Sequence, residues 1–130
     1  KRHDVLVVTI NYRLGPFGWF SHPAIQDVQL GIDKTSNFGT LDIIHALKWV
    51  QENIIFFGGD PNNVTIFGES AGGHNVLSLL VANQAKGLFH QAISSHYFVT
   101  LFCTLCINAY ELAVLNAVYG PVSNTITNQA

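Results

Sequence analysis

The sequence predicts an α/β fold in which central parallel strands are joined by crossover helices. Short runs of β-branched and other apolar residues alternate with segments of helical periodicity, in the order strand, helix, strand, helix, strand. Turns containing glycine or proline separate several of these segments. Strands that alternate with helices in this way form parallel sheets with right-handed crossovers.

The first strand is predicted over Val5–Ile10. This continuous apolar and β-branched run is typical of a strand covered on both faces. The run stops at Asn11, and Gly15–Gly18, which contains two glycines and a proline, predicts a loop. Because Ser21–Asn37 shows no clean period, we expect a long irregular connection there.

The first helix is predicted from apolar residues that fall on one stripe at helical spacing. They are Ile43, Ala46, Leu47, Val50 and Ile54. Polar residues lie off the stripe, as expected for a helix with one buried face. The segment Phe56–Pro61 contains two glycines and a proline and is predicted to end the helix and turn the chain.

A second strand, a second helix and a third strand follow in close succession. Val64–Phe67 reads as a short strand that stops at Gly68. The residues from Gly72 to Ala82 suit a helix that is apolar nearly all round, and such a helix is expected to be buried. Ala92–Ser94 is predicted to begin the third strand.

The composition predicts a piece of a larger protein. Charged residues make up 11% of the 130 residues and apolar residues 48%, whereas about a quarter of an average soluble domain is charged. A small self-contained domain has a large surface to cover with polar groups. The formal net charge of −2 provides no basic surface, so nucleic acid is not an expected partner. The sequence leaves the oligomeric state and the compartment open.

The stretch Tyr97–Tyr119 is long and apolar enough to be considered as a membrane span. Asn108, Glu111 and Asn116 interrupt it, and each is costly at bilayer depth. A membrane is therefore not an expected partner. A buried helix, or sequence foreign to the domain, is the favoured interpretation.

The motif that carries chemistry is Gly68-Glu69-Ser70-Ala71-Gly72. It has the form Gly-x-Ser-x-Gly and stands between a predicted strand and a predicted helix, as a nucleophile elbow requires. In such an elbow the serine lies in a strained turn and the glycines avoid collisions. The motif arises by chance in about one chain in 25 of this length, so a serine in a glycine-rich turn without chemistry is the alternative.

Five separated blocks of the sequence, in the right order, resemble the type B carboxylesterase family, which also includes the cholinesterases. They are Asn11–Gly15, Asn37–Asp42, Ala46–Val50, Phe57–Pro61 and Val64–Gly73. The resemblance implies a partial α/β-hydrolase fold over residues 1–95. Residues 96–130 are interpreted as an apolar tail of uncertain origin that does not match the family, with a frameshift, unspliced sequence or gene truncation as the hypothesis for it.

The resemblance also implies a function, the serine-dependent hydrolysis of carboxylic esters. Ser70 would attack the ester carbonyl, and the backbone N–H of Ala71 would donate a hydrogen bond to the oxyanion. Glu69 is expected to be structural, because the family's acid lies elsewhere. No metal ion and no cofactor are expected, and the expected partner is a small-molecule carboxylic ester.

The catalytic triad is predicted to be incomplete in this chain. In this fold the triad runs serine, acid, histidine, but the only acidic residue after Ser70 is Glu111, and every later histidine precedes it. The family's glycine-rich oxyanion segment is also absent. His74 is one helical turn beyond Ser70 and is expected to be a packing or surface residue, since a base approaches from a separate loop.

The isolated chain is therefore expected to be inactive. Two alternatives to an active enzyme remain: a non-catalytic adhesion or binding relative of the same fold, and a truncated inactive product. The presence of Ser70 in a strained motif favours descent from an enzyme.

Two further patterns are not expected to have a functional role. Cys103 and Cys106 have C-x-x-C spacing but no second ligand pair, so two thiols on an apolar face are expected. Asn63-Val64-Thr65 is a glycosylation sequon that leads directly into a buried strand, so occupancy is not expected.

Overall fold

The computed structural model describes residues 5–95 and 114–117, and in them four strands form one sheet. The strands are β1 (Leu6–Thr9), β2 (Val64–Glu69), β3 (Gln91–Ser95) and β4 (Val114–Ala117). The α-helices are α1 (Gly15–Trp19), α2 (Pro23–Gln26), α3 (Phe38–Asn53) and α4 (Ala71–Val81). Short 3-10 helices span Gly31–Thr35, Ile54–Phe57 and Asn83–Ala85.

The strand order in the sheet is β1-β4-β2-β3. Strands β2 and β3 pair in parallel, with Gly68 beside Ser94 and Glu69 beside Ser95. Strand β4 runs antiparallel to both β1 and β2, so β1, β2 and β3 all point the same way. The predicted parallel strands with crossover helices are confirmed for these three. The antiparallel strand between β1 and β2 is a feature that the sequence did not predict.

The two long helices pack on the same face of the sheet. Helix α3 connects β1 to β2 and α4 connects β2 to β3, and both connections advance in the same direction across the sheet. Right-handed crossovers that advance in one direction place their helices on one side. One buried cluster joins both helices to β2, comprising Ile43, Ile44, Leu47, Val50, Ile54, Val64, Ile66, Val76, Leu79 and Ala85.

Two predictions about burial are wrong. Strand β1 was predicted to be covered on both faces, but Val7 is 59% exposed. Helix α4 was predicted to be buried, but Leu77, Leu80 and Val81 are exposed. Both errors have one cause, because α3 and α4 cover a single face of the sheet. In the described part of the chain the opposite face, which carries Val7 and Ile93, and the outer side of α4 have no covering layer.

The connection between β1 and α3 is more regular than predicted. The loop predicted at Gly15–Gly18 is wrong, because these residues begin α1, where Pro16 suits the first helical turn. The segment Ser21–Asn37 contains α2 and a 3-10 helix. The imidazole Nδ1 of His22 accepts a hydrogen bond from the Ala24 N–H at 3.2 Å and so caps α2. Elements this short produce no hydrophobic period in the sequence.

An ion pair fixes the segment after β1 to the first turns of α3. The Arg13 guanidinium donates two hydrogen bonds to the Asp42 carboxylate, at 2.7 and 2.6 Å, and the Arg13 backbone N–H donates a third at 3.0 Å. The hydrogen bond from Arg13 lowers the pKa of Asp42 below its ordinary value. The guanidinium also lies over the Phe38 ring, 5.1 Å from its centroid.

Part of the predicted tail lies outside the described residues. Within Tyr97–Tyr119, residues 114–117 form β4, so of the two interpretations offered for this stretch the buried helix is wrong at these positions. Cys103, Cys106 and Glu111 lie outside the described residues. None of the helices that the structure describes is long and apolar enough to cross a membrane.

Candidate active site

Ser70 lies in the turn between β2 and α4, so the predicted strand, tight turn and helix are present around the motif. Its backbone angles are φ +50° and ψ −111°. Among the described residues, Ser36 is the only other non-glycine residue with a positive φ. An L-residue adopts this region at an energetic cost, which the surrounding structure must offset. Ser70 is the N-cap residue of α4, but its hydroxyl makes no capping hydrogen bond.

Close backbone packing explains the glycines of the elbow turn, which we define as residues 68–73. A β-carbon at Gly68 would lie under 3.0 Å from three backbone atoms of Gly72. A β-carbon at Gly73 would meet the Ser94 Oγ at 3.0 Å and the Ser95 carbonyl oxygen at 3.1 Å. The start of α4 therefore lies directly against the ends of β2 and β3, closer than side chains at these positions would permit.

Strand β3 holds the elbow turn at two points. The Ser70 N–H donates a hydrogen bond to the Ser95 carbonyl at 2.9 Å, which extends the parallel pairing of β2 and β3 by one residue. The Ser94 hydroxyl donates a hydrogen bond to the Gly73 carbonyl at 3.1 Å. The motif itself gives no sign of these partners, because they lie more than 20 residues further along the chain.

Ala71, the second predicted site residue, is the first residue of α4. Its position places its backbone N–H in the first turn of the helix, where the helix dipole favours negative charge. The helix proper begins with the hydrogen bond from the His74 N–H to the Ser70 carbonyl, at 3.1 Å. Ser70 and Ala71 are thus adjacent at the amino end of α4.

A contact from the segment that follows β1 also reaches α4. The Asn75 side-chain amide donates a hydrogen bond to the Tyr12 hydroxyl at 2.9 Å. The Tyr12 ring packs edge-on against Trp19, with ring centroids 6.2 Å apart. Sequence reasoning missed this contact, because nothing in the spacing of residues 63 positions apart indicates that they meet.

The histidines that the structure describes occupy ordinary structural or surface positions. His74 lies on the exposed side of α4 and His45 on the exposed side of α3. The His90 imidazole Nδ1 accepts a hydrogen bond from the Val64 N–H at 3.1 Å, and its backbone N–H donates to the Val64 carbonyl at 2.8 Å. His3 and His96 lie outside the described residues. Within residues 5–95 and 114–117, no group of three potential metal ligands is present.

A groove between β1, the segment after it and α3 lies away from Ser70. It has a volume of about 780 Å³ and is lined by residues 8–13 of β1 and the following segment and by Asp42, His45, Ala46 and Trp49 of α3. The Ser70 side chain does not line it. Among the described residues, the motif serine and this groove are therefore separate features.

Comparison with known proteins decides the family. The model of the carboxylesterase family matches residues 1–101. The chain belongs to the carboxylesterase family. The predicted α/β-hydrolase fold agrees with a solved structure of a PNB esterase, which is 52% identical over 65% of this chain and 17% of its own, with a TM-score of 0.56.

Two curated members of the carboxylesterase family illustrate the similarity. The para-nitrobenzyl esterase of Bacillus subtilis is 53% identical over 90 residues, which cover 69% of this chain and 17% of that protein. The pyrethroid hydrolase Ces2e of Rattus norvegicus is 53% identical over 122 residues, which cover 93% of this chain and 19% of that protein. The chain thus spans less than a fifth of the length of either relative. The second alignment is longer than residues 1–95, and the domain boundary at Ser95 stays a prediction.

Proposed function

We propose that this chain supplies the nucleophile of a serine carboxylesterase, and that Ser70 is that nucleophile. The observation that carries the proposal is the positive φ of Ser70 between β2 and α4. The strained turn costs free energy, and it stands where this fold positions its nucleophile. A serine with no catalytic role would have little physical reason to be held there. The names of the two curated relatives support ester hydrolysis as the reaction class.

The reaction begins with attack of the Ser70 Oγ on the carbonyl carbon of a carboxylic ester, while a general base takes the hydroxyl proton. The carbonyl oxygen becomes an oxyanion that accepts a hydrogen bond from the Ala71 N–H, and losing one such donor typically costs about 3–4 kcal/mol. The alcohol leaves with a proton and Ser70 remains acylated. Water then cleaves the acyl-enzyme to release the carboxylic acid and restore the hydroxyl.

The base and the acid that orients it are not assigned to this chain. His74 is one turn along the same helix as Ser70 and exposed, whereas a base approaches the serine from a separate loop. The substrate class is small-molecule carboxylic esters, with the acyl and alcohol groups left open. No cofactor or metal ion takes part in the proposed steps.

The proposal is tested with a fluorophosphonate probe, which reacts with activated serines by displacement of fluoride from phosphorus. The native protein that carries this chain is captured from its source, labelled and digested with trypsin. Cleavage after Lys48 and Lys86 releases the peptide Trp49–Lys86, which contains both Ser70 and Ser78. We expect the label on Ser70 and none on Ser78. An unlabelled Ser70 would contradict the proposal and favour a non-catalytic binding relative or a truncated product.

We also propose that the 130-residue chain by itself is nearly inactive. Without a base, a serine with part of an oxyanion hole retains at most the residual catalysis of triad knockouts, about 10³–10⁴ over water. Turnover of a p-nitrophenyl ester near the typical enzyme rate of about 10 s⁻¹, abolished by Ser70→Ala, would refute this. The isolated chain is expected to be poorly soluble, because the open face of the sheet exposes apolar side chains such as Val7 and Ile93.

A further inference from the structure

The carboxyl end of β3 is built against the backbone of the elbow turn. In the parallel register Ser94 lies beside Gly68 and Ser95 beside Glu69, so the strand ends level with the motif. The Ser94 Oγ would lie 3.0 Å from a β-carbon placed on Gly73. The absence of a side chain at Gly73 is therefore what brings the Ser94 hydroxyl within hydrogen-bond distance of the helix backbone.

The hydrogen bond from Ser94 reaches the first turn of α4 rather than its middle. The acceptor is the Gly73 carbonyl, at 3.1 Å, three residues after Ser70. A carbonyl oxygen has two lone pairs, so this one can accept from Ser94 in addition to its helical partner. Together with the hydrogen bond from the Ser70 N–H to the Ser95 carbonyl, at 2.9 Å, it holds both ends of the Ser70–Gly73 turn to β3.

We propose that Ser94 is a positioning residue for ester hydrolysis: its hydroxyl fixes the first turn of α4 and thereby the place of Ser70 and of the Ala71 N–H. This inference rests on the proposed function of Ser70. Ser94 does not contact the substrate in this role. It acts through the backbone, because the nucleophile and the oxyanion donor belong to the turn that its hydrogen bond anchors, and a displacement of about 1 Å at a reacting group can cost about 100-fold in rate.

The chain offers a matched control on the same helix. The Ser78 hydroxyl donates a hydrogen bond to the His74 carbonyl at 3.0 Å, which is the same type of bond on the exposed side of α4 and joins α4 only to itself. Ser78→Ala removes that bond without touching β3. Ser94→Thr keeps a hydroxyl at position 94, and Ser94→Cys keeps the size of the side chain but leaves only a weak donor.

The experiment compares these variants in the native-length protein that carries this chain, with two readouts. Hydrogen exchange of a peptide covering the elbow turn is expected to be about 5-fold faster in Ser94→Ala, since a net contribution typical of one hydrogen bond is lost. Fluorophosphonate labelling of Ser70 and the kcat for a p-nitrophenyl ester are expected to fall about 10-fold, with KM unchanged. Ser94→Thr should restore both readouts, and Ser78→Ala should alter neither.

The outcomes separate this inference from the proposed function. If Ser70 is labelled but Ser94→Ala behaves as Ser78→Ala does, the positioning role is wrong and the proposed function stands. If Ser70 is not labelled in the unmodified protein, the proposed function fails, and the positioning role for catalysis fails with it, whatever the exchange rates. If Ser94→Ala does not fold, Ser94→Cys replaces it, and normal labelling of Ser94→Cys overturns the inference.

Discussion

The closest packing at the elbow turn predicts a large effect of a single methyl group at Gly68. A β-carbon there would lie under 3.0 Å from the Cα, C and O atoms of Gly72, whereas carbon atoms normally approach to about 3.5–4.0 Å. All three atoms are backbone, so no side-chain rotation relieves the clash. Strand β2 and helix α4 would have to separate by about 1 Å in Gly68→Ala to restore a normal distance.

The expected destabilisation follows from two opposing effects. Overpacking of a well-packed site costs about 1–3 kcal/mol. Because Gly68 does not have a positive φ, alanine can adopt its backbone conformation. Alanine also lowers the conformational entropy of the unfolded chain, which stabilises the folded state by about 0.4–1 kcal/mol. The clash is the larger effect, so we expect Gly68→Ala to lower the free energy of unfolding by about 2 kcal/mol.

Urea unfolding followed by circular dichroism measures this change, and Gly87→Ala is its matched control. Gly87 has φ +82° and no atom within 4 Å of an added β-carbon, so only backbone strain of about 1 kcal/mol is expected there. Labelling of Ser70 should fall about 100-fold in Gly68→Ala and stay unchanged in Gly87→Ala. Stability within 0.5 kcal/mol of the unmodified protein, roughly the spread of neutral surface substitutions, together with unchanged labelling, would refute the reasoning.

Three further predictions concern the core, the ion pair and the tail. Leu47→Ala, at a side chain that is 0% exposed, should lower the free energy of unfolding by about 2–5 kcal/mol, while Val81→Ala at an 84% exposed position should stay within about 0.5 kcal/mol. Asp42→Asn should cost about 1 kcal/mol at neutral pH. Because Arg13 lowers the pKa of Asp42 in the folded state, this difference should shrink as the pH falls below about 4, and a constant difference between pH 7 and 3 would contradict it. For the tail, translation of the neighbouring reading frames of the source nucleotide sequence beyond Ser95 should reveal a family match, and the absence of one would count against a frameshift.

Much of the fold follows from periodicity in the sequence, but the covering of each element does not. The apolar run of β1 predicts a strand, and the stripe that includes Leu47 predicts α3, because both patterns report local geometry. Whether Val7 is covered depends on which face the helices occupy. That face is set by the direction in which successive crossovers advance across the sheet, which no local pattern contains.

At the candidate site the sequence by itself determined the motif, the serine and the strand and helix that flank it. Gly-x-Ser-x-Gly predicts a strained turn because only small residues fit it, and in the structure Ser70 has a positive φ. Only the tertiary structure decided what holds the turn. Ser94 and Ser95 reach the turn from β3, and Tyr12 reaches α4 from the segment that follows β1. Hydrogen bonds between residues distant in the chain depend on how the strands are ordered and aligned, and that information is absent from any short stretch of sequence.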